Sequence, residues 1–226
     1  MRGDVGGFWP GVLAELVDLA VPRVCGGCGA PGVRWCAECE RALHDVPARI
    51  RPTVSVGVPV WTLGRYEGPR RAAVLALKER GRADLARPLG RAVAHAALRL
   101  GAWGELAPGI ALVPAPTTRW AARRRGGDVV TAVCTEAARC AAPVRRIAVY
   151  PALRSAGVVD SVGLGAAARL GNIAGAVRVD GALPPPGAAV VLVDDVVTTG
   201  ATLRESVRAL AQAGVPVAAA LTVAAA

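Results

Sequence analysis

The sequence predicts an α/β fold, an open parallel sheet with helices on both faces, preceded by a small metal-binding knuckle. From Ile110 onward, short apolar runs typical of buried strands alternate with helix-like segments. Residues 190–193 form an aliphatic run that is followed by two carboxylates and a loop of hydroxyls and a glycine. Near the start, two C-x-x-C pairs are separated by seven residues, a spacing typical of metal binding.

The composition indicates a globular protein with one sizeable core and a small accessory module. The chain has 226 residues, 53% of them hydrophobic, and no apolar run reaches the roughly 18 residues of a membrane helix. Residues 11–21 are apolar but contain Glu15 and Asp18 and lack signal-peptide features, so we expect a cytoplasmic protein. The net charge of +10, carried by arginine, favours phosphate-bearing partners, although the codon usage of a GC-rich genome also explains an arginine bias.

The predicted N-terminal domain, residues 1–45, combines a short amphipathic helix with the knuckle. A tight turn within each C-x-x-C pair can place two sulfurs on one metal, with glycines at 26, 27 and 29 permitting the sharp geometry. Four thiolates suit a closed, tetrahedral, structural zinc site, and a redox dithiol pair or an iron–sulfur site are the alternatives. We expect His44 to be a surface or packing residue. The predicted ligands are Cys25, Cys28, Cys36 and Cys39.

The predicted second domain, residues 46–226, begins with a proline-containing connector that extends to about residue 59. Its apolar patterns then predict strands and helices in order. The strands are expected at 61–66, 110–113, 147–150, 190–193 and 217–223, and the helices at 70–77, 83–100, 129–139 and 203–213. Ligands bind beyond the carboxyl ends of the strands in such sheets. We therefore expect three loops to converge at one edge, namely 114–119, 154–171 and 194–202.

Residues 190–202 combine the groups needed to bind a sugar phosphate. The backbone N–H groups of the loop and of the following helix N-terminus can hold a phosphate. The adjacent carboxylates of Asp194 and Asp195 can accept hydrogen bonds from a vicinal diol. The alternative is a buried strand that ends in an ordinary acidic segment before a helix. A Walker A loop is excluded because no G-K-[ST] occurs here.

All thirteen residues of this stretch match the PRPP-binding signature of the type I phosphoribosyltransferases, which it resembles. The resemblance implies that Asp194 and Asp195 are the catalytic acidic pair and hold the ribose 2′- and 3′-hydroxyls, with or without bound Mg²⁺. It also implies that the following loop wraps the 5-phosphate of PRPP. The residues of that loop are Thr198, Thr199, Gly200, Ala201 and Thr202.

Over residues 10–226 the chain resembles the ComF family, bacterial phosphoribosyltransferase-like proteins associated with natural competence. The shared motifs follow the same order along the chain. They are the double C-x-x-C knuckle, Tyr66-x-Gly68, Lys78, V-P-x-P at 113–116, R-R-G at 124–126, Leu164, Arg169, Asn172, Gly175, Ala176 and the PRPP signature. Family members commonly continue the Arg-Gly with Phe-Asn-Gln, where this chain has Gly127-Asp128-Val129, and Ser161 stands where Gln is common. Both departures concern the acceptor and catalysis rather than ribose-phosphate binding.

If the protein is an enzyme, the resemblance implies displacement at the anomeric carbon of PRPP, with pyrophosphate leaving alongside Mg²⁺. The loop containing Pro116, Thr117 and Arg119 would then contact the pyrophosphate, and Arg154 would belong to a lid. Lys78 is a candidate phosphate or pyrophosphate ligand, although a cation is also favourable at the end of its predicted helix without any ligand.

A non-catalytic accessory protein that retains the ribose-phosphate pocket is the alternative function. The family's association with competence suggests single-stranded DNA or DNA-processing proteins as partners. A basic aromatic cluster could contact a DNA backbone, but a solvated face or a pyrophosphate subsite explains the same residues. The cluster comprises Arg119, Trp120, Arg123, Arg124 and Arg125.

Overall fold

The computed structural model describes residues 23–116, 128–156 and 175–226. The strands in these ranges are β1 (Ala48–Ile50), β2 (Val60–Thr62), β3 (Ile110–Pro114), β4 (Ile147–Val149), β5 (Leu153–Ser155), β6 (Val177–Val179), β7 (Ala189–Val197) and β8 (Val217–Ala225). The α-helices are α1 (Ala37–Leu43), α2 (Gly68–Glu79), α3 (Ala86–Ala102), α4 (Val129–Ala141) and α5 (Ala201–Gln212), and a 3₁₀ turn (Ala83–Leu85) precedes α3. The predicted N-terminal amphipathic helix lies outside the described residues.

Six strands form the main sheet in the order β1-β2-β8-β7-β3-β4. Every pair in it is parallel except β1 with β2, which is antiparallel. Strand β7 lies near the middle, between β3 and β8, and its aliphatic residues are buried. The α/β fold class predicted from the sequence is therefore confirmed, as a mostly parallel sheet with one antiparallel edge strand.

The two faces of the sheet are covered by different layers. Val191 and Val193 of β7 belong to a core that contains residues of α2, α3 and α4. Val190 and Leu192 alternate with them and belong to a second core, which contains α5 and the two-stranded antiparallel sheet of β5 and β6. This alternation, with both side-chain sets buried, is the reason why the run reads as continuously apolar in the sequence.

The predicted end of the central strand is wrong. We expected the strand to end at Val193 with the carboxylates after it, whereas β7 continues to Val197 and includes them. Pairing with β8 continues along this extension, with Asp194 opposite Thr222 and Val196 opposite Ala224. Acidic residues are rare in strands, so local pattern alone indicates an earlier end, and the partner strand overrides it.

Two segments predicted to be irregular contain short strands. The proline-containing connector includes β1, and the connection predicted for 154–171 begins with β5. The predicted strand at 61–66 is shorter, since β2 comprises Val60–Thr62 and is followed by one isolated bridge at Arg65. None of the helices in the described ranges is long and apolar enough to span a lipid bilayer.

Helices α3 and α4 approach each other closely at Gly90. A Cβ atom at this position would lie 2.5 Å from the Glu136 Cβ and 2.8 Å from the Val133 carbonyl oxygen. Neither atom is the flexible end of a side chain, so the two helices would have to separate. Gly101, in the same helix, faces only the guanidinium end of Arg145, which can move aside.

These surroundings predict opposite effects for two identical substitutions. Gly90→Ala is expected to lower the free energy of unfolding by about 1–3 kcal/mol because it overpacks the α3–α4 contact. Gly101→Ala should leave stability unchanged or raise it by up to about 1 kcal/mol, since alanine favours helix over glycine. Urea unfolding of both variants measures the difference, and equal stabilities would contradict the packing argument.

Candidate functional site

The acidic pair lies near the carboxyl end of β7 and contacts α2. The Lys78 Nζ atom is 2.7 Å from Asp195 Oδ2, and the Asp195 side chain is 14% exposed. The backbone N–H of Asp195 donates to Asp194 Oδ1 at 2.9 Å. Together with apolar side chains from α2, α3 and α4, the three residues line a small cavity. The structure thus brings two predicted carboxylates and one predicted cation into one cluster.

Asp194 is held in an environment that disfavours its charge. Burial and, secondarily, the neighbouring charge of Asp195 raise the pKa of Asp194 to about 8. The Asp195 N–H bond and the Lys78 ammonium oppose this shift without cancelling it. A carboxyl group with a raised pKa can be protonated at neutral pH, where it can donate a hydrogen bond as well as accept one.

The loop from Thr198 to Gly200 leads directly into α5. Gly200 is the N-cap residue with φ +89°, a left-handed conformation that favours glycine. The Ala201 N–H donates to Thr199 Oγ1 at 3.4 Å. The side chains of Thr198, Thr199 and Thr202 are exposed. An open loop at the start of a three-turn helix provides backbone N–H groups that suit an anion.

The connector between β1 and β2 supports this loop from one side. The Val54 N–H donates to the Thr199 carbonyl at 2.8 Å. A Cβ at Gly200 would lie 2.7 Å from the Pro52 Cβ, so the two backbones touch closely. Pro52 and Val54 could not be predicted as part of the site, because only the fold brings residues so distant in the chain into contact.

Only some of the other predicted site residues lie in the described part of the chain. The Ala115 N–H donates to the Val193 carbonyl at 2.7 Å, so the segment that continues into Pro116 begins beside the acidic pair. Arg154 is exposed on β5, and within the described ranges it forms no hydrogen bond or ion pair with the acidic pair. Thr117, Arg119 and the basic cluster around Trp120 lie outside the described residues.

The four cysteine side chains of the knuckle form a second cluster. All four Sγ atoms lie within 4.8 Å of one another, and those of Cys28 and Cys36 are 3.7 Å apart. Tetrahedral zinc with Zn–S bonds of about 2.3 Å requires sulfurs about 3.8 Å apart. Backbone N–H groups of Cys36 and Cys39 donate to the sulfurs of Cys25 and Cys36 respectively, which favours thiolates. The donor set therefore fits a structural zinc ion.

In the metal-free cluster the pKa values of two cysteines are shifted in opposite directions. Burial raises the pKa of Cys25, but backbone N–H groups of Cys28, Gly27 and Cys36 outweigh it and lower that pKa to about 6. Burial and the neighbouring sulfurs raise the pKa of Cys39. Cys25 is therefore the thiolate expected to be available first for a metal at neutral pH, and binding would release protons from the others.

The glycines of the knuckle have the geometric role that the sequence predicted, in two different ways. Gly29 adopts φ +81°. A Cβ at Gly27 would lie 2.6 Å from Cys39 Sγ, and one at Gly26 would lie 2.6 Å from a methyl group of Leu85. His44 is half-buried, with its ring 4.4 Å from that of His95 and its Nε2 atom 3.1 Å from Glu40.

Comparison with known proteins identifies the type of domain at the C-terminal end of the chain. A family model described as the phosphoribosyl transferase domain matches residues 165–226. The described part of that match contains β6, β7, α5 and β8, and so includes the acidic pair and its loop. No match to the chain was found among curated proteins. The findings support a phosphoribosyltransferase-type family.

The cysteine geometry predicts about one zinc ion per chain. Cys28→Ser should remove the metal and lower the melting temperature, because one ligand of the closed site is lost. Cys140→Ser, on α4, is the matched control and should retain the metal. Elemental analysis of the purified proteins measures the content. An iron chromophore would contradict the zinc assignment. So would a wild-type protein that contains no metal and melts at the same temperature as Cys28→Ser.

The raised pKa of Asp194 predicts a pH dependence of stability. Native Asp194 holds a proton that the unfolded chain, with an ordinary pKa of 3.8, releases at lower pH. Its stabilising contribution is complete below about pH 4 and is lost as the pH rises through about 8.

Relative to Asp194→Asn, the wild-type free energy of unfolding should therefore fall between about pH 4 and pH 8. Denaturant titrations at several pH values measure this difference. Asp180→Asn, at a position whose side chain is 45% exposed, is the control for removing a carboxylate at the surface. Parallel curves for wild type and Asp194→Asn would show that Asp194 titrates normally.

Proposed function

We propose that this chain binds PRPP or another 5-phosphoribosyl group at the β7–α5 unit. The observation that carries the proposal is the placement of an acidic pair, an exposed Thr/Gly loop and a helix N-terminus on one continuous strand–loop–helix segment. The segment lies within the residues matched by the phosphoribosyl transferase model. Carboxylates at one end and N–H donors at the other complement a ribose diol and a 5-phosphate.

In this proposal each part of the segment has one task. Asp194 and Asp195 bind the ribose 2′- and 3′-hydroxyls, and Lys78 stabilises the charge of Asp195 from 2.7 Å away. The loop binds the 5-phosphate through backbone N–H groups and hydroxyls. Its members are Thr198, Thr199, Gly200, Ala201 and Thr202.

Carboxylate oxygens are ligands that Mg²⁺ accepts, commonly one or two per ion together with substrate phosphates. The acidic pair fits that pattern, and Asp194 and Asp195 would hold the ion or its bound waters. Bound Mg²⁺ would neutralise charge on a pyrophosphate. Lys78 already places one cation on the pair, so it shares this electrostatic task.

As an enzyme, the protein would catalyse displacement at the anomeric carbon, transferring a pentosyl group to an acceptor as a glycosyltransferase does. The protein would contribute by positioning the reactants and by excluding water from the site. Pro116, Thr117 and Arg119 would contact the pyrophosphate, and Arg154 would contribute to closure over the substrate. Zinc at the knuckle would be structural, since four thiolates leave no open coordination position.

A ComF-like, cytoplasmic accessory role in competence or DNA uptake is the second proposal. Arg49 and Arg51 are exposed and line an open groove of about 480 Å³, which is formed by the connector that contacts Thr199 and Gly200. The chain has a net charge of +10, and a groove lined by arginines suits the phosphate backbone of single-stranded DNA. In this role the ribose-phosphate pocket would sense a ligand without turnover.

Thermal denaturation with millimolar PRPP and Mg²⁺ tests the binding proposal. At a ligand concentration of about 100 Kd the stabilisation is about 2.7 kcal/mol, which corresponds to a rise of roughly 5–10 °C in Tm. Asp194→Asn combined with Asp195→Asn should abolish the rise, because the diol loses its ionisable acceptors. Asp180→Asn should retain it. A wild type that shows no rise refutes 5-phosphoribosyl binding.

Assays of pyrophosphate release and of DNA binding distinguish the enzyme from the accessory protein. Release of pyrophosphate when PRPP is mixed with nucleobases or amines supports the enzyme. Binding of single-stranded DNA that weakens steeply with salt, without pyrophosphate release, supports the accessory role.

A further inference from the structure

Arg82 ties the cysteine knuckle to the turn that follows α2. Its Nη1 and Nη2 atoms donate to the carbonyl oxygens of Val24 and Arg34, each at 3.1 Å. Its Nε and Nη2 atoms also donate to the two carboxylate oxygens of Asp84, each at 2.8 Å. A planar guanidinium can make such a set of bonds in one orientation, and an ammonium cannot.

The two acceptor carbonyls belong to the knuckle. Val24 immediately precedes Cys25, and Arg34 lies two residues before Cys36. The Arg34 carbonyl also accepts from the Gly26 N–H at 2.9 Å. A metal held by the four cysteines would therefore fix the spacing of the two carbonyls that Arg82 joins.

The other side of this contact is the end of α2, which carries Lys78. The backbone N–H groups of Arg80 and Arg82 both donate to the Ala76 carbonyl, at 3.1 and 3.2 Å, which closes the turn tightly. Leu85, fully buried in the next turn, lies against Gly26 so closely that no Cβ would fit there. The Lys78 backbone is thus held within a few residues of the knuckle contacts.

The beginning of α2 is held by the same N-terminal module. The Arg70 side chain, 8% exposed, donates to the Ala42 carbonyl at 2.8 Å and to Asp45 Oδ2 at 3.0 Å. Both ends of the helix are therefore bonded to residues 24–45. Lys78 extends from this supported helix to Asp195.

We propose that the cysteine knuckle positions Lys78 against Asp195 and that Arg82 is the positioning residue that transmits this constraint. The knuckle then contributes to the ribose end of the binding site although it lies outside it. A lysine side chain has four flexible carbons, so its ammonium reaches a fixed point reliably only when its Cα is fixed. The functional consequence of this arrangement rests on the proposed ribose-phosphate binding.

The experiment uses a property of the sequence, in which Lys78 is the only lysine. Protein labelled with ¹⁵N and ¹³C in lysine gives a single side-chain signal that reports the surroundings of the Lys78 ammonium. Asp195→Asn defines the signal of the unpaired ammonium. Arg82→Ala, and separately removal of the metal by a chelator, should move the wild-type signal towards that position.

The matched control is Arg91→Ala. Arg91 also joins the knuckle helix to α3, through Glu40 at 2.9 Å, but it does not contact the α2 turn. It should lower Tm and leave the Lys78 signal unchanged. Arg82→Gln serves if Arg82→Ala does not fold, because it keeps a polar side chain, loses the paired guanidinium bonds and adds no second lysine. An unchanged Lys78 signal in a folded Arg82 variant overturns the proposal.

Ribose 5-phosphate titrations then separate this inference from the proposed function. We expect Lys78→Ala and Arg82→Ala each to weaken Kd about tenfold, and the double variant to be no weaker than Lys78→Ala alone. Fully additive losses would show that Arg82 acts independently of Lys78. A shifted Lys78 signal in Arg82→Ala, with no ribose 5-phosphate binding in wild type, would support the positioning and refute the ribose site.

Discussion

The parallel pairing of β7 with β8 is the constraint on which the site depends. It continues past the apolar run and includes Asp194 opposite Thr222, so two acidic residues are held in regular strand geometry. The same strand receives a bond from Ala115 at the Val193 carbonyl, and it delivers the chain to the Gly200 cap of α5. Without this extension the carboxylates would lie in a loop, with neither a fixed spacing to Lys78 nor a fixed direction towards the loop.

The site also concentrates unfavourable electrostatics in a well-packed part of the molecule. Burial removes water from the Asp194 carboxylate, and the neighbouring carboxylate of Asp195 repels it, so the pKa of Asp194 is raised. One nearby ammonium, that of Lys78, compensates for part of this cost at Asp195. Such local conflict between stability and charge is common where a protein must bind a polar ligand, because the ligand supplies the missing hydrogen bonds.

Features coded by neighbouring residues could be predicted from the sequence. The aliphatic run before Asp194, the hydroxyl-rich loop and the paired cysteines each lie within a few positions of the chain, and the alternation of strands and helices identifies the fold class. Features that depend on residues far apart in the chain could not. The extension of β7 depends on pairing with β8, and the hydrogen bond from Val54 to Thr199 forms only because the connector folds back. No sequence pattern indicates the hydrogen bonds from Arg82 to two knuckle carbonyls. The fold class and the clustering of the cysteines were therefore predictable, whereas the contacts that support the candidate site were not.

The lengths of the two edge strands of the main sheet affect the tendency of the protein to aggregate. Strands β1 and β4, which flank the main sheet, are three residues long, whereas β7 and β8 extend over nine. Short edges, one of them bearing the exposed Arg49, offer little unpaired backbone to another chain. In the described part of the chain, the longest strands of the main sheet, β7 and β8, are therefore paired on both sides, which disfavours edge-to-edge aggregation.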